Sequence, residues 1–230
     1  MIPTEELRLR FERDGYVTLP SVVENPRLAQ LRSEADRLLA DSAERGGARN
    51  ALRRSTILRV WAEEGSLLPA AAALVGPAAQ LTKLTVFDKA AGANWKVPWH
   101  QDLTISLAAR REVPGFGPWS IKDGVPHVQP PAALLRQAVA LRVHLDATPA
   151  DNGALRVLVG SHTLGKIPAE EVPQLRDRFR EMVCEVGEGG AMFMSPLLLH
   201  ASSPARVASR RRVLHYEFSA YELPAGLEWA

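Results

Sequence analysis

From Gln80 onward the chain breaks into short β-prone runs separated by Gly, Pro and Asn: "LTKLTVFDKA", "LTISLAA", "AVALRVHLDA", "GALRVLVG", "EMVCEVG", "GAMFMSPLLLHASS" and "RRVLHYEFSA". Many short strands with turn punctuation between them imply a sandwich, a barrel or a jelly roll. The first 79 residues have a different texture. Thr4 caps an expected helix through about Asp14, with Glu5 and Glu6 in its first turn and Gly15 as its stop. "YVTLP" alternates like a short strand. Asn25 then caps and Pro26 opens a second helix, with Leu28, Leu31, Ala35, Leu38 and Leu39 on one face and an end near Gly46. "SLLPAAAALVG" predicts another short helix, and "RNALRRSTILRVWAEEG" is open between assignments. The expectation is one domain over residues 1–230, mainly β with flanking helices. Residues 1–79 form a mostly helical buttress, and 80–230 form the β core.

Charge and cysteine content remove several function classes. Lys and Arg number 28 against 26 Asp and Glu, a net charge of +2, too even for a chain built around a polyanion. Nucleic acid is therefore not an expected partner, and the "RVASRRR" run reads as a solvated strand edge. Cys184 is the single cysteine, which excludes an internal disulfide and any multi-cysteine zinc or iron-sulfur site made by this chain alone. No apolar stretch approaches the ~20 residues of a membrane span, and the first residues interleave charge with apolar side chains. A soluble, cytoplasmic protein with no membrane partner is expected, its oligomeric state open.

Two His-x-Asp pairs stand out: His100 and Asp102 in "WKVPWHQDLTISL", and His144 and Asp146 in "RVHLDA". In a strand, residues two apart point the same way, so either pair is able to grip one metal ion. With six His in the chain a chance match is common, and a strand histidine beside a turn-forming aspartate explains either pair equally. Context favours the first. His100 follows a Pro- and Trp-rich approach, whereas Asp146 leads into the turn-like "ATPADNG". Redox iron is commonly held by two histidines and one carboxylate on one octahedral face, so a second histidine is needed. His200, at the end of the apolar run "MFMSPLLLH", is the candidate. Alternation turns Arg211 away from Arg210 and Arg212 and onto the face of Val213 and His215. An inward Arg beside a metal calls for an anion, and a dicarboxylate cosubstrate supplies one through a bidentate fork.

These residues resemble the phytanoyl-CoA dioxygenase family of iron(II) and 2-oxoglutarate-dependent oxygenases, and the similarity runs through nearly the whole chain. "EELRLRFERDGYVTLP" is similar to the family's opening helix and strand, "WHQD" to its iron-binding triplet, "DNGALRVLVGSH" to its central strand, and "HASSPARVASRRRVLHYEF" to its distal histidine and cosubstrate arginine. The resemblance implies a double-stranded β-helix, a jelly roll related to cupins. It implies Fe(2+) held by His100, Asp102 and His200, with O2 and 2-oxoglutarate as cosubstrates. Arg211 and Ser202 would hold the distal carboxylate. Arg142 stands where relatives usually carry an aromatic residue, so a second Arg is expected to meet the other carboxylate or the substrate.

The implied reaction hydroxylates an unactivated C–H bond of a small organic molecule and releases succinate and CO2. An intact Asp102 favours that outcome, because relatives that halogenate replace this carboxylate with a small residue. Two other readings share the metal ligands: a cupin-like hydrolase or isomerase, and a binding protein with an idle site. The Pro- and Gly-rich insertion "REVPGFGPWSIKDGVPHVQPP" is too long for a simple turn and is expected as a pocket loop or lid. Phe116, Trp119, Lys122, His127 and Gln129 within it, together with Trp95, Trp99 and His144, are the candidate substrate contacts.

Overall fold

Alternation along the strands separates packing from chemistry in this molecule. The computed structural model describes residues 4–42, 46–89, 96–206, 210–224 and 226–230. Its strands are β1 (Tyr16–Leu19), β2 (Gly47–Ala48), β3 (Gln80–Lys89), β4 (Val97–His100), β5 (Ile105–Ser106), β6 (Trp119–Lys122) and β7 (Val125–Val128). They continue with β8 (Ala138–His144), β9 (Leu155–Leu158), β10 (Glu181–Cys184), β11 (Ala191–Met194), β12 (His200–Ser202) and β13 (Arg211–Ser219). A six-stranded sheet in the order β1-β11-β8-β13-β3-β2 and a four-stranded sheet in the order β10-β9-β12-β4 form the two walls of a jelly roll. All strand pairings in both are antiparallel.

On the large sheet, Leu84 and Val86 of β3, Val139, Leu141 and Val143 of β8, and Leu214, Tyr216 and Phe218 of β13 point outward into one apolar cluster. Their alternating neighbours Lys83, Thr85, Phe87, Lys89, Arg142, Arg211, His215 and Glu217 point inward and line a cavity. The outward face is covered by α1 (Thr4–Asp14), α2 (Asn25–Ala40) and, beyond a four-residue helix α3 (Ala51–Arg54), by α4 (Thr56–Glu64) and α5 (Leu67–Val75). In α2 the buried Leu28, Leu31, Ala35 and Leu38 recur at three- and four-residue spacing, which is the stripe one helix face presents to a sheet. Ser55 starts α4 by accepting a hydrogen bond from the Leu58 amide at 3.1 Å.

Several expectations shift. α2 begins one residue earlier, with Glu24 rather than Asn25 at the cap, and it stops at Ala40 rather than near Gly46. The Ser42 hydroxyl donates to the Gly47 carbonyl at 2.7 Å and draws the chain toward β2. The N-terminal segment is also more than a buttress, because β1 and β2 are the two edge strands of the large sheet. The insertion over residues 111–131 is not a simple lid: β6 and β7 form a hairpin and pair with β5 as a third sheet. The hairpin turns on Asp123 and Gly124, both left-handed at φ 49° and 74°. Asp-Gly between alternating residues is a strong hairpin signal, legible in "SIKDGVPH".

Candidate active site

β12 pairs with β4 in a register that sets His200 directly opposite His100. Their rings lie 4.2 Å apart between centroids. β4 ends at His100, so Asp102 sits just past the strand, where its amide donates to the Pro196 carbonyl at 2.9 Å. Its two carboxylate oxygens are each 3.7 Å from one imidazole Nε2, that of His100 or of His200. The three ligand atoms all lie within 4.8 Å of one another.

The donor set suits a divalent iron. His100 Nδ1 lies 2.8 Å from the Pro98 carbonyl and His200 Nδ1 lies 3.0 Å from the Leu198 carbonyl. Those carbonyls take the Nδ1 protons and leave both Nε2 lone pairs free toward the shared point. Burial pushes the His200 pKa down to about 4 against the opposing pull of Asp102, so the ring stays neutral and ready to ligate. Burial by itself would raise the Asp102 carboxyl. Attraction to the imidazoles of His200, His215 and His100, which acts where these rings carry a proton, outweighs it and holds the carboxyl below the usual carboxylate range.

The second pair serves the fold instead. Asp146 accepts from the Arg212 amide and from Arg212 Nε, both at 2.9 Å, and from its other guanidinium nitrogen at 2.8 Å. His144 Nδ1 meets the Thr148 hydroxyl at 2.7 Å.

The ligands open into a cavity of about 410 Å³, within the range of small-molecule sites. One corner of it is cationic. Arg211 donates to the Gly153 carbonyl, and Arg142 lies 3.1 Å from His215 Nδ1 and over the Phe87 ring at 5.6 Å. Both arginines are buried, and each has an Nε without a hydrogen-bond partner. Among the described residues neither forms an ion pair, and burial pushes each down to about 10. Lys89, 2% exposed, donates to Ser202 Oγ at 3.1 Å and to the Ser203 carbonyl at 2.9 Å. Burial, with Arg211 and Arg142 nearby, lowers its pKa to about 8. Two buried guanidinium groups without an ion-pair partner among the described residues favour an anion in this corner, and a dicarboxylate meets that need.

Other expected contacts fall elsewhere. Trp99, one residue before His100, faces outward among Leu158, Leu175 and Leu199, with Arg156 and Arg176 over its ring at 5.4 and 5.7 Å. Phe116 and Trp119 pack with Leu107, Val128 and Tyr221 in a separate apolar cluster, and alternation along β6 turns Trp119 to the face opposite Lys122. Gln129 closes the hairpin base: its amide donates to the Pro118 carbonyl and its carbonyl accepts from the Gly117 amide. His144 shares the inward face of Arg142 yet is buried behind the cavity wall rather than lining it. Trp95 lies outside the described residues. Of the insertion, Lys122 and His127 do reach the cavity. Lys83, Lys89 and Glu217 were not foreseen, although alternation in "KLTVFDK" and in "RRVLHYEF" marks them as inward-facing.

Burial also holds His127, His144 and His162 below the ordinary 6.5. The unfolded chain therefore binds more protons than the folded one just below pH 6.5, and stability falls as pH drops through that window. Urea midpoints of the chelator-treated protein are expected to be lower at pH 5 than at pH 7.5. A flat or rising midpoint contradicts this.

A jelly roll whose mouth carries two histidines, a carboxylate and a buried cationic corner defines the class of non-haem iron, 2-oxoglutarate-dependent dioxygenases. The family model for phytanoyl-CoA dioxygenase (PhyH) matches residues 11–213, and the chain belongs to that family. The chain is similar to L-proline trans-4-hydroxylase of Streptomyces griseoviridis, 25% identical over 252 residues that cover 92% of this chain and 85% of that one. Among solved structures, AviO1 from Streptomyces viridochromogenes is 24% identical with a TM-score of 0.66, covering 98% of this chain and 97% of its own. The epimerase SnoN from nogalamycin biosynthesis, in complex with Fe3+, alpha ketoglutarate and nogalamycin RO, is 20% identical with a TM-score of 0.74. That alignment covers 97% of this chain and 91% of SnoN. Among the described residues no helix is long and apolar enough to cross a membrane.

Proposed function

We propose that this dioxygenase hydroxylates an unactivated C–H bond of a small organic metabolite while 2-oxoglutarate is converted to succinate and CO2. The observation that carries this reading is the convergence of His100, Asp102 and His200 in one cavity with the cationic corner of Arg142, Lys89 and Arg211. In this reading the two Nε2 atoms and a carboxylate oxygen hold iron(II), which supplies the redox chemistry with dioxygen when bound. The carbonyls of Pro98 and Leu198 fix the ring orientations. Arg211 binds the distal carboxylate of 2-oxoglutarate, with Ser202 and Lys89 beside it, and Arg142 faces the second carboxylate or the substrate. The Asp102 carboxylate supports hydroxylation over halogenation, since a carboxylate ligand takes the position a halide would need.

Anaerobic titration of the iron(II)-loaded protein with 2-oxoglutarate tests the reading. Bidentate chelation gives a weak visible charge-transfer band, and admitting air then yields succinate. A cupin-like hydrolase or isomerase, or an idle binding protein, gives neither signal.

A further inference from the structure

β3 and β13 run antiparallel along the cavity, with Lys89 opposite Arg211 at one end and Lys83 opposite Glu217 at the other. At about 3.3 Å per residue, the six steps from Lys83 to Lys89 span about 20 Å. The two ends therefore need separate partners. Lys83 at the far end is paired with Glu217 at 2.8 Å, and Arg49 lies 3.4 Å from Asp123.

Lys122 is different. It reaches in from the β6–β7 hairpin, and its Nζ lies 3.4 Å from the Thr104 hydroxyl, two residues beyond the metal ligand Asp102. Among the described residues no carboxylate lies within ion-pair distance of it. Burial and the adjoining Lys83 and Arg49 push its ammonium pKa down, as expected where positive charge is in excess.

Charge counting over the whole cavity points the same way. Among the described residues Lys122, Arg142 and Arg211 line it without an ion pair, and Asp102 is the one lining carboxylate besides Glu217. Iron(II) and the 2-oxoglutarate dianion cancel each other in formal charge, so filling the metal and cosubstrate positions leaves the excess in place. A five-carbon diacid held at the Arg211 end spans well under the roughly 20 Å that separates the two ends along β3.

We propose that the Lys122 end of the cavity is an anion subsite for the substrate, which carries a carboxylate or phosphate bound by Lys122 with Lys83 and Arg49 at its sides. The proposal rests on the iron and 2-oxoglutarate reading for the other end of the cavity. The subsite holds the substrate's acid group beside Asp102 and so orients the reacting carbon toward the ligands. Neutral analogues of the same shape leave the Lys122 ammonium without a charged partner and bind more weakly.

Ligand-observed NMR titrations with benzoate, phenyl phosphate and benzamide test the subsite on protein loaded with zinc(II) and saturating 2-oxoglutarate, which fills the cosubstrate corner. At least one acid is expected to bind about tenfold more tightly than benzamide, the least that a charge-assisted hydrogen bond contributes. Whichever acid binds tighter assigns the anion as carboxylate or phosphate. Lys122→Gln is expected to erase that preference by weakening the acid alone, and Lys122→Glu to do so more strongly.

Equal affinity for acid and amide overturns the proposal. So does undetectable acid binding at millimolar concentration, an acid preference intact in both variants, or acid binding only when 2-oxoglutarate is left out. The wild-type comparison of acid with amide stands even if a variant fails to fold. Acid preference in a protein that forms no charge-transfer band with 2-oxoglutarate would instead sink the cosubstrate reading and leave the anion subsite standing.

Discussion

Asp102→Ala is expected to abolish iron(II) retention and to lower 2-oxoglutarate turnover by on the order of 100-fold or more, because even partners one step removed from a metal are worth 10- to 100-fold. The carboxylate is the single anionic donor of the three, and its loss leaves two imidazoles on adjacent strands to hold a dication. Chelator competition measures the affinity, and succinate release in the presence of ascorbate measures the turnover. Equal succinate release from both proteins would remove the metal assignment. Asp146→Ala is the matched comparison, since it alters the other His-x-Asp pair. There the expected loss is about 1–3 kcal/mol of stability, from leaving Arg212 with Asp36 alone, with turnover retained.

Arg211→Met is expected to raise the KM for 2-oxoglutarate at least about 30-fold, since truncating one partner of a buried charge pair costs about 2 kcal/mol or more. The same change should not lower the melting temperature of the ligand-free protein. Arg211 is 6% exposed, has no ion-pair partner among the described residues, and bears the cost of a buried charge that an apolar side chain of similar length does not. A rise in KM with unchanged or higher thermal stability distinguishes a ligand-binding arginine from a structural one. A drop in melting temperature with KM unchanged would assign Arg211 to the fold.

Much of this was legible along the chain wherever the information was local. The strand-rich stretch from Gln80, the stripe of α2 and the inward turn of Arg211 all follow from periods of two or 3.6 residues, which any strand or helix imposes on its own side chains. The family resemblance pointed to His100, Asp102 and His200 together. The misassignments came where local pattern met tertiary choice. Trp99 and Trp119 are aromatic residues near chemistry in sequence, yet a strand sends neighbours to opposite faces, and theirs is the packed one. The Asp-Gly hairpin was readable, and its Pro- and Gly-rich flanks hid it.

By itself, then, the sequence determined most element types, the alternation of faces along each strand, and the short list of groups able to bind a metal or an anion. The tertiary structure alone decided that His200 lies across from His100 rather than near His144, that Asp146 is consumed by Arg212, and that Lys89 and Lys122 guard opposite ends of one cavity. The reason is physical: side-chain direction is a property of the local backbone, whereas strand register and sheet order are chosen by burial and pairing among residues about 100 positions apart.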